Sequence, residues 1–182
     1  FVREHPAIVS QMQAVVGLTV VELTRDERWS YVRGSPYNPR VTAHTPMEIT
    51  GPAPDHVLLN PRREPATLAF GTFGNCAAGT TPWRTYVTAE ENVDDYFGNG
   101  AVAKVDAATE LAHRRFGLRQ RDSAYRWEYA DPRFDTAANP AESLKFGWIV
   151  ELDPFDPNSR PKKRTALGRF KHESSTTVLA AD

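Results

Sequence analysis

The sequence predicts an all-β protein with a short N-terminal helix and long loops. Two observations carry this prediction. Short runs rich in Val, Ile, Thr and aromatic residues recur along the 182 residues, and turn-forming residues separate them. Glycine and proline, at 11 and 14 residues, are spread through the chain rather than clustered. Many short strands with frequent turns are typical of a sandwich, a barrel or a propeller.

Helical periodicity is confined to two short segments. Residues 4–16 place Ile8, Met12 and Val15 near helical spacing, and residues 110–116 predict a second short helix. The remaining apolar runs alternate or are β-branched, as expected for strands. The predicted strands lie, in chain order, at residues 18–23, 29–33, 57–60, 66–70, 85–90, 102–106, 147–154, 163–170 and 174–180.

The strand at 147–154 is the clearest of these predictions, because apolar residues predominate in it and it ends at Pro154. By contrast, residues 125–138 are polar, aromatic and contain proline, which indicates a surface excursion. Phe1 is not a start residue, and the last apolar run is cut off before any turn. We therefore expect residues 1–182 to be one partial domain, an internal fragment of a longer protein.

Composition excludes several classes of function. The 22 basic and 23 acidic residues leave a net charge of −1, which favours neither nucleic acid nor an anionic membrane as a partner. No apolar stretch approaches the roughly 20 residues that span a bilayer. The single cysteine rules out an intrachain disulfide framework and a zinc–thiolate cluster.

Cys76 lies in a predicted loop, residues 71–83, that is dense in glycine and other small residues. Small residues let a backbone approach a ligand closely, and they expose a thiol that a core strand would hide. A buried cysteine that acts as a small hydrophobe is the alternative, but such residues usually lie among Val, Leu and Ile. The surroundings of Cys76 favour a special thiol.

Acidic side chains form a second group of candidates. Glu90 and Glu91 follow a predicted strand, close to Asp94 and Asp95. Neighbouring carboxylates repel one another unless a cation neutralises them, so this segment is either a calcium site or an exposed acidic turn. Glu151 sits inside the strongest apolar strand, where it is either paired or metal-bound, or else points to solvent.

The segment from Arg169 to Glu173 concentrates charged groups. Arg169 and Lys171 have the chemistry to bind phosphate, and His172 and Glu173 have the chemistry to bind metal. A solvated charged strand is the plain alternative for such a run.

Several strings of the sequence together resemble the PhoX-type alkaline phosphatases, a bacterial family with a propeller fold. They occur in the family's order over residues 18–177. The matching strings are RVTAHTPM (40–47), GPA (51–53), GTFGNCAAGTTPW (71–83), EEN (90–92), YF (96–97), GWIVELDP (147–154) and LGRFKHE (167–173).

The resemblance implies a phosphomonoesterase on a β-propeller of four-stranded antiparallel blades, with two iron and three calcium ions at its centre. Cys76 would be the thiolate that bridges the irons. The carboxylates carried over as metal ligands are Glu90, Glu91, Glu151 and Glu173. The clustered cations would polarise the phosphoryl oxygens of a small phosphate monoester.

The resemblance also implies catalytic roles for Glu151, Arg169 and Lys171, of which the two cations would neutralise the bound phosphate. It implies a periplasmic or extracellular location. The sequence departs from the family at Arg84, where glycine is common, and at Ser174 and Ser175; Arg84 would crowd the segment near Cys76.

Length limits what this chain can do alone. A blade takes about 40 residues, so 182 residues cannot close a six-bladed ring, and further ligands are expected outside the chain. The isolated segment is therefore expected to be inactive. Two other functions stay open: a metal-binding or structural propeller relative without turnover, and a thiol-dependent enzyme that uses Cys76 as its nucleophile.

Overall fold

The computed structural model describes residues 2–3, 5–60, 68–118 and 121–180. The described part of the chain is mostly β with few helices, which confirms the predicted secondary-structure class. Its α-helices are α1 (Pro6–Val15) and α2 (Ala107–Phe116). Its strands are β1 (Leu18–Thr19), β2 (Leu23–Arg25), β3 (Trp29–Tyr31), β4 (Arg40–Val41), β5 (Pro46–Thr50), β6 (Leu68–Phe70), β7 (Asn75–Thr80), β8 (Tyr86–Glu90), β9 (Ile149–Leu152) and β10 (Lys162–Arg164).

Both predicted helices are confirmed, and their ends follow from local chemistry. Pro6 occupies the first helical position of α1, where its missing N–H is not needed. The Asp106 carboxylate caps α2 by accepting hydrogen bonds from the backbone N–H groups of Ala108 and Thr109. Gly117 ends α2 in the left-handed conformation at φ 91°. Within the described residues, neither helix is long and apolar enough to cross a membrane.

Six strands form one sheet in the order β6-β5-β10-β9-β8-β7, and all neighbouring pairs are antiparallel except β10 with β5. Two further pairs, β1 with β4 and β2 with β3, form small antiparallel ribbons. The parallel pair joins the strands into a single mixed sheet rather than separate four-stranded blades. The described residues do not close into a ring, so the propeller stays a prediction.

The core has two main parts. Phe73 stacks on Phe146 with ring centroids 4.3 Å apart, and the rings of Tyr96, Trp127 and Phe134 surround it. The second part covers one face of the sheet and is built from Met47, Ile49, Leu59, Ala69, Leu144, Trp148 and Val150. Strand β9 is buried along its whole length, which explains why its sequence is apolar except for Glu151.

Several sequence predictions are wrong. Residues 57–60 form a turn, in which the His56 carbonyl accepts from Leu59 and Asn60 N–H, and residues 102–106 form a turn and the cap of α2. The strand predicted from 163 ends at Arg164, and residues 174–180 belong to no assigned strand. The supposed surface excursion at 125–138 instead supplies Trp127 and Phe134 to the aromatic core. Of the predicted strand at 66–70, residues 66 and 67 lie outside the described residues.

Candidate metal centre

Three of the predicted metal ligands converge at one end of the sheet. The ligand atoms of Cys76, Glu91 and Glu173 all lie within 4.8 Å of one another. The Cys76 thiol donates to the Glu173 carboxylate, with Sγ 3.0 Å from Oε1. Within the described ranges, this is the one group of three or more His, Cys, Asp and Glu side chains with such spacing. We call it the Cys–Glu–Glu centre.

The backbone brings these three residues together although Cys76 and Glu173 are 97 positions apart. Strand β7 pairs with β8 so that Asn75 lies opposite Glu90, and the register shifts between Asn75 and Ala78. That irregularity contains Cys76, as expected of a bulge that redirects a side chain. Glu91 N–H donates to the Gly74 carbonyl over 2.9 Å.

The third ligand is carried by an extended segment beside the outer edge of β7. Ala77 N–H donates to the Glu173 carbonyl over 2.9 Å. A Cβ atom at Gly79 would lie 2.0 Å from the Ser175 carbonyl oxygen, so only glycine permits this close approach. Residues 75–80, which the sequence predicted as part of a loop, thus form a strand whose Gly79 admits a second backbone beside the thiol. The predicted close approach to a ligand stays a prediction.

The electrostatics of the centre favour a cation. Cys76 and Glu173 are exposed and Glu91 is half-buried. The hydrogen bond to Glu173, followed by the one to Glu91, raises the pKa of the Cys76 thiol to about 11. At neutral pH the thiol therefore keeps its proton between two carboxylates. A bound cation would replace that proton and neutralise the three ligands together.

The donor set fits the metals that the sequence suggested. A thiolate is a soft ligand that suits iron, and carboxylate oxygens suit iron and calcium. Three protein ligands leave further coordination positions open for other groups. The centre is partly exposed, so the described residues do not block access to those positions.

Glu90 is a predicted ligand that the structure places elsewhere. Its side chain is fully buried, and its Oε1 lies 2.7 Å from Nζ of the equally buried Lys163. Its Oε2 accepts from the N–H groups of Gly147 and Trp148 over 2.9 and 3.1 Å. Burial lowers the pKa of Lys163 to about 8, against the opposing effect of Glu90. Both carboxylate oxygens of Glu90 thus already have protein partners.

Glu151 also lies outside the Cys–Glu–Glu centre. It accepts hydrogen bonds from Trp83 Nε1 (2.8 Å) and Thr85 Oγ1 (2.5 Å), and it pairs with Arg164 Nε (2.6 Å). Burial raises the pKa of Glu151, but these three hydrogen bonds outweigh burial and lower it overall. Glu151 is therefore paired, one of the states that its apolar strand predicted.

The two predicted phosphate-binding cations have different environments. The Arg169 guanidinium donates to the carbonyls of Phe146 (2.8 Å), Ser143 (3.0 Å) and Ala112 (3.4 Å), and burial lowers its pKa to about 10. Its donors are thus engaged with the backbone. Lys171 is exposed and pairs with Asp94 over 2.8 Å.

Arg84 does not crowd the thiol in the way the sequence suggested. Its guanidinium lies over the Phe155 ring, 4.2 Å from the ring centroid. Its φ of 71° is in the left-handed region that favours glycine, which gives a physical reason for the glycine common in the family at this position. Arg84 and Phe155 line a surface cleft of about 500 Å³ that does not include the metal-centre residues.

Sequence patterns did not identify the residues that form hydrogen bonds around the buried Glu90 carboxylate. Lys163, Thr72 and Asn75 form a chain of contacts with Glu90. The only signal for them was indirect, since a carboxylate at the buried end of an apolar strand needs a partner of opposite charge.

Comparisons with known proteins identify the family of this chain. The model of the family "Alkaline phosphatase PhoX" matches residues 3–182. Among solved structures, PhoX of Pseudomonas fluorescens in complex with vanadate, a transition state analogue, is similar with a TM-score of 0.79 and 43% sequence identity. The match covers 93% of this chain and 29% of that chain, so this chain spans less than a third of the solved relative. The search of curated proteins gave no match.

Proposed function

Because the chain belongs to the PhoX family of alkaline phosphatases, we propose that it contributes the Cys–Glu–Glu centre to the active site of a metal-dependent phosphomonoesterase. One observation carries the proposal: Cys76, Glu91 and Glu173 present their ligand atoms within 4.8 Å of one another. The two carboxylates repel each other at this spacing, and a bound cation that displaces the thiol proton would relieve that repulsion.

The metals proposed are iron and calcium, in the two-plus-three cluster that the family resemblance implies. Cys76 is the proposed iron ligand, and Glu91 and Glu173 supply hard oxygens to the same ions. When bound, such cations polarise phosphoryl oxygens and stabilise the charge that builds up during in-line displacement. Glu90 and Glu151, which the resemblance also suggests, already have protein partners, so we assign them to the support of the site.

This chain's own residues have four tasks in the proposed reaction. Cys76 gives up its proton when metal binds, and Glu91 and Glu173 fix the position of the bound cation. Lys171, which is exposed and two positions from Glu173, is the proposed contact to the substrate phosphate. Arg169 holds the Glu173 segment in place through its hydrogen bonds to the backbone.

Most of the proposed enzyme lies outside this chain. We propose that the remaining part of a PhoX-length protein completes a propeller ring and supplies the other metal ligands and phosphate-binding cations. The substrates proposed are small phosphate monoesters; the vanadate complex of the Pseudomonas fluorescens relative supports a phosphate-like ligand. A periplasmic or extracellular location is proposed from the family alone.

A thiol-dependent enzyme is disfavoured by the same geometry. A nucleophilic cysteine is usually activated by a lowered pKa, next to a cation or an imidazole. The two carboxylates beside Cys76 raise its pKa to about 11 instead. Their negative charge suits a ligand and opposes a nucleophile.

The test compares Cys76→Ser with a control, Ala78→Ser, in the full-length protein. Ala78 is an exposed residue of the same strand, so the control makes the same exposed hydroxyl two positions away. We expect Cys76→Ser to lose iron and hydrolysis of p-nitrophenyl phosphate, and Ala78→Ser to keep both. Normal iron content in Cys76→Ser would contradict the ligand assignment. Iron and calcium without turnover in the unmodified protein would support the metal-binding relative instead.

A further inference from the structure

Glu90 contacts all three chain segments that carry the proposed metal ligands. We propose that Glu90, charge-balanced by Lys163, is a positioning residue that sets the spacing of Cys76, Glu91 and Glu173. The identity of the metal centre rests on the proposed function, whereas the contacts of Glu90 do not. The three connections are independent of one another: one runs through the Glu90 carboxylate, one through the covalent chain and one through the Glu90 carbonyl.

The first connection reaches the Cys76 segment. The Thr72 hydroxyl donates to Glu90 Oε1 over 2.8 Å, and Asn75 Nδ2 donates to Thr72 Oγ1 over 2.8 Å. Asn75 directly precedes Cys76 and lies opposite Glu90 in the β7–β8 ladder. This relay fixes the start of β7 at the register irregularity that contains the thiol.

The second connection is covalent. Glu91 follows Glu90 in the chain, and consecutive residues of an extended segment point to opposite sides. The Glu90 side chain is held inward by the N–H groups of Gly147 and Trp148. Fixing Glu90 on the inner side therefore directs Glu91 outward, toward the thiol.

The third connection reaches the Glu173 segment. His172 N–H donates to the Glu90 carbonyl over 3.3 Å, and His172 directly precedes Glu173. This bond places the Glu173 backbone beside β8, while Ala77 N–H holds the same segment against β7. The two bonds locate Glu173 between the strands that carry the other two ligands.

Lys163 makes a buried carboxylate possible at this point. It comes from β10, two strands away from β8, and its ammonium also lies 3.7 Å from the centroid of the Phe146 ring. Lys163 lies opposite Val150, which lies opposite Thr88, so Lys163 and the Glu90 side of β8 share one face of the sheet. The ion pair thus ties the metal-bearing end of the sheet to its middle.

A competing explanation is that the Glu90–Lys163 pair stabilises the fold without positioning the metal ligands. The hydrogen bonds that run through Thr72 allow the two explanations to be tested separately. Thr72→Val removes the hydroxyl but keeps the side-chain shape and leaves the Glu90–Lys163 pair intact. Thr136→Val is the matched control, because Thr136 is equally buried and its hydroxyl donates to the Gly98 carbonyl, away from the centre. Both variants lose a fully buried hydroxyl: that of Thr72 donates to a carboxylate and accepts from Asn75, and that of Thr136 donates to a neutral backbone carbonyl.

The measurement is a Co²⁺ titration of metal-free full-length protein, followed by the thiolate-to-cobalt charge-transfer absorption, together with urea unfolding. We expect Thr72→Val to weaken Co²⁺ binding about 10- to 100-fold, as for other residues that orient metal ligands. We expect Thr136→Val to bind Co²⁺ within about twofold of the unmodified protein, although it also loses stability through its missing hydrogen bond. Thr72→Ser, which restores the hydroxyl, should restore the affinity.

Equal Co²⁺ affinities in Thr72→Val and Thr136→Val would overturn the positioning role and leave the proposed metal centre standing. Absence of the charge-transfer band in the unmodified protein would overturn the metal centre and the positioning role together. Asn75→Ala interrupts the same relay at a half-buried position. It is expected to weaken Co²⁺ binding even where Thr72→Val does not fold, and unchanged affinity in Asn75→Ala would also overturn the role.

Discussion

Replacement of Lys163 by methionine tests the buried ion pair most severely. The side chains of Lys163 and Glu90 are both fully buried, with Nζ 2.7 Å from Oε1. Lys163→Met leaves the Glu90 carboxylate in the core without its cation. Removal of one partner of a buried pair costs about 3–5 kcal/mol. Methionine fills a similar volume beside Phe146, so most of this cost comes from the uncompensated charge.

Urea unfolding of the full-length protein, followed by tryptophan fluorescence, measures this cost. A denaturant slope of about 2 kcal/mol per molar is typical of a small protein and rises with size, so a loss of about 4 kcal/mol lowers the unfolding midpoint of the longer protein by at most about 2 M. Lys162→Met is the control, because Lys162 is the neighbouring lysine of β10 and is half-buried. We expect that control to change stability by about 0.5 kcal/mol or less.

A double variant separates charge from packing. Glu90→Gln combined with Lys163→Met removes both charges and keeps an oxygen that can accept from Gly147 and Trp148 N–H. We expect the double variant to recover at least half of the lost stability, since a neutral group is cheaper to bury than an unpaired charge. If Lys163→Met destabilises the protein no more than Lys162→Met, the reasoning about the buried pair is refuted.

Three further predictions follow from the titratable groups. Burial lowers the pKa of His113 below its ordinary value of 6.5, so just below pH 6.5 the unfolded state binds more protons than the folded state. The free energy of unfolding should therefore fall as pH drops below about 6.5. His113→Gln should remove this pH dependence from the urea unfolding curves. In metal-free protein, the alkylation rate of Cys76 should keep rising to about pH 11. Glu173→Gln should speed alkylation at pH 8 between 10- and 100-fold. Equal rates in Glu173→Gln and the unmodified protein would show that Glu173 is not the partner of the thiol. Glu151→Gln should lower the free energy of unfolding by about 1 kcal/mol, because it weakens the pair with the partly exposed Arg164. It should leave the Co²⁺ affinity unchanged. A loss of Co²⁺ binding would show that Glu151 is a metal ligand.

Local patterns predicted the fold well where one physical cause dominates. The largely apolar sequence of β9, interrupted only by Glu151, signals a strand buried on both faces. Pro6 at the start of α1 and the Asp106 cap of α2 act within a few residues. The prediction of a surface excursion at residues 125–138 was wrong because the aromatic side chains there have no regular spacing. Trp127 and Phe134 are buried only because they meet Phe73, which lies more than 50 positions earlier in the chain.

The metal centre could be predicted only as a set of candidates. Cys76 stood out through its small neighbours, but nothing local brought Glu173 to it, and the family resemblance supplied that link. Glu90 and Glu91 look alike in sequence, although the structure buries the first and leaves the second at the thiol. Lys163 lies in a charged run that is typical of an exposed strand, so its burial depends on a tertiary contact that sequence patterns do not contain.

The central claim is that Cys76 binds iron together with Glu91 and Glu173. Iron K-edge X-ray absorption of the full-length protein tests it most directly, because sulfur and oxygen ligands scatter differently. The account predicts a sulfur ligand in the iron coordination shell of the unmodified protein and its loss in Cys76→Ser. An iron shell of oxygen and nitrogen alone in the unmodified protein would contradict the account.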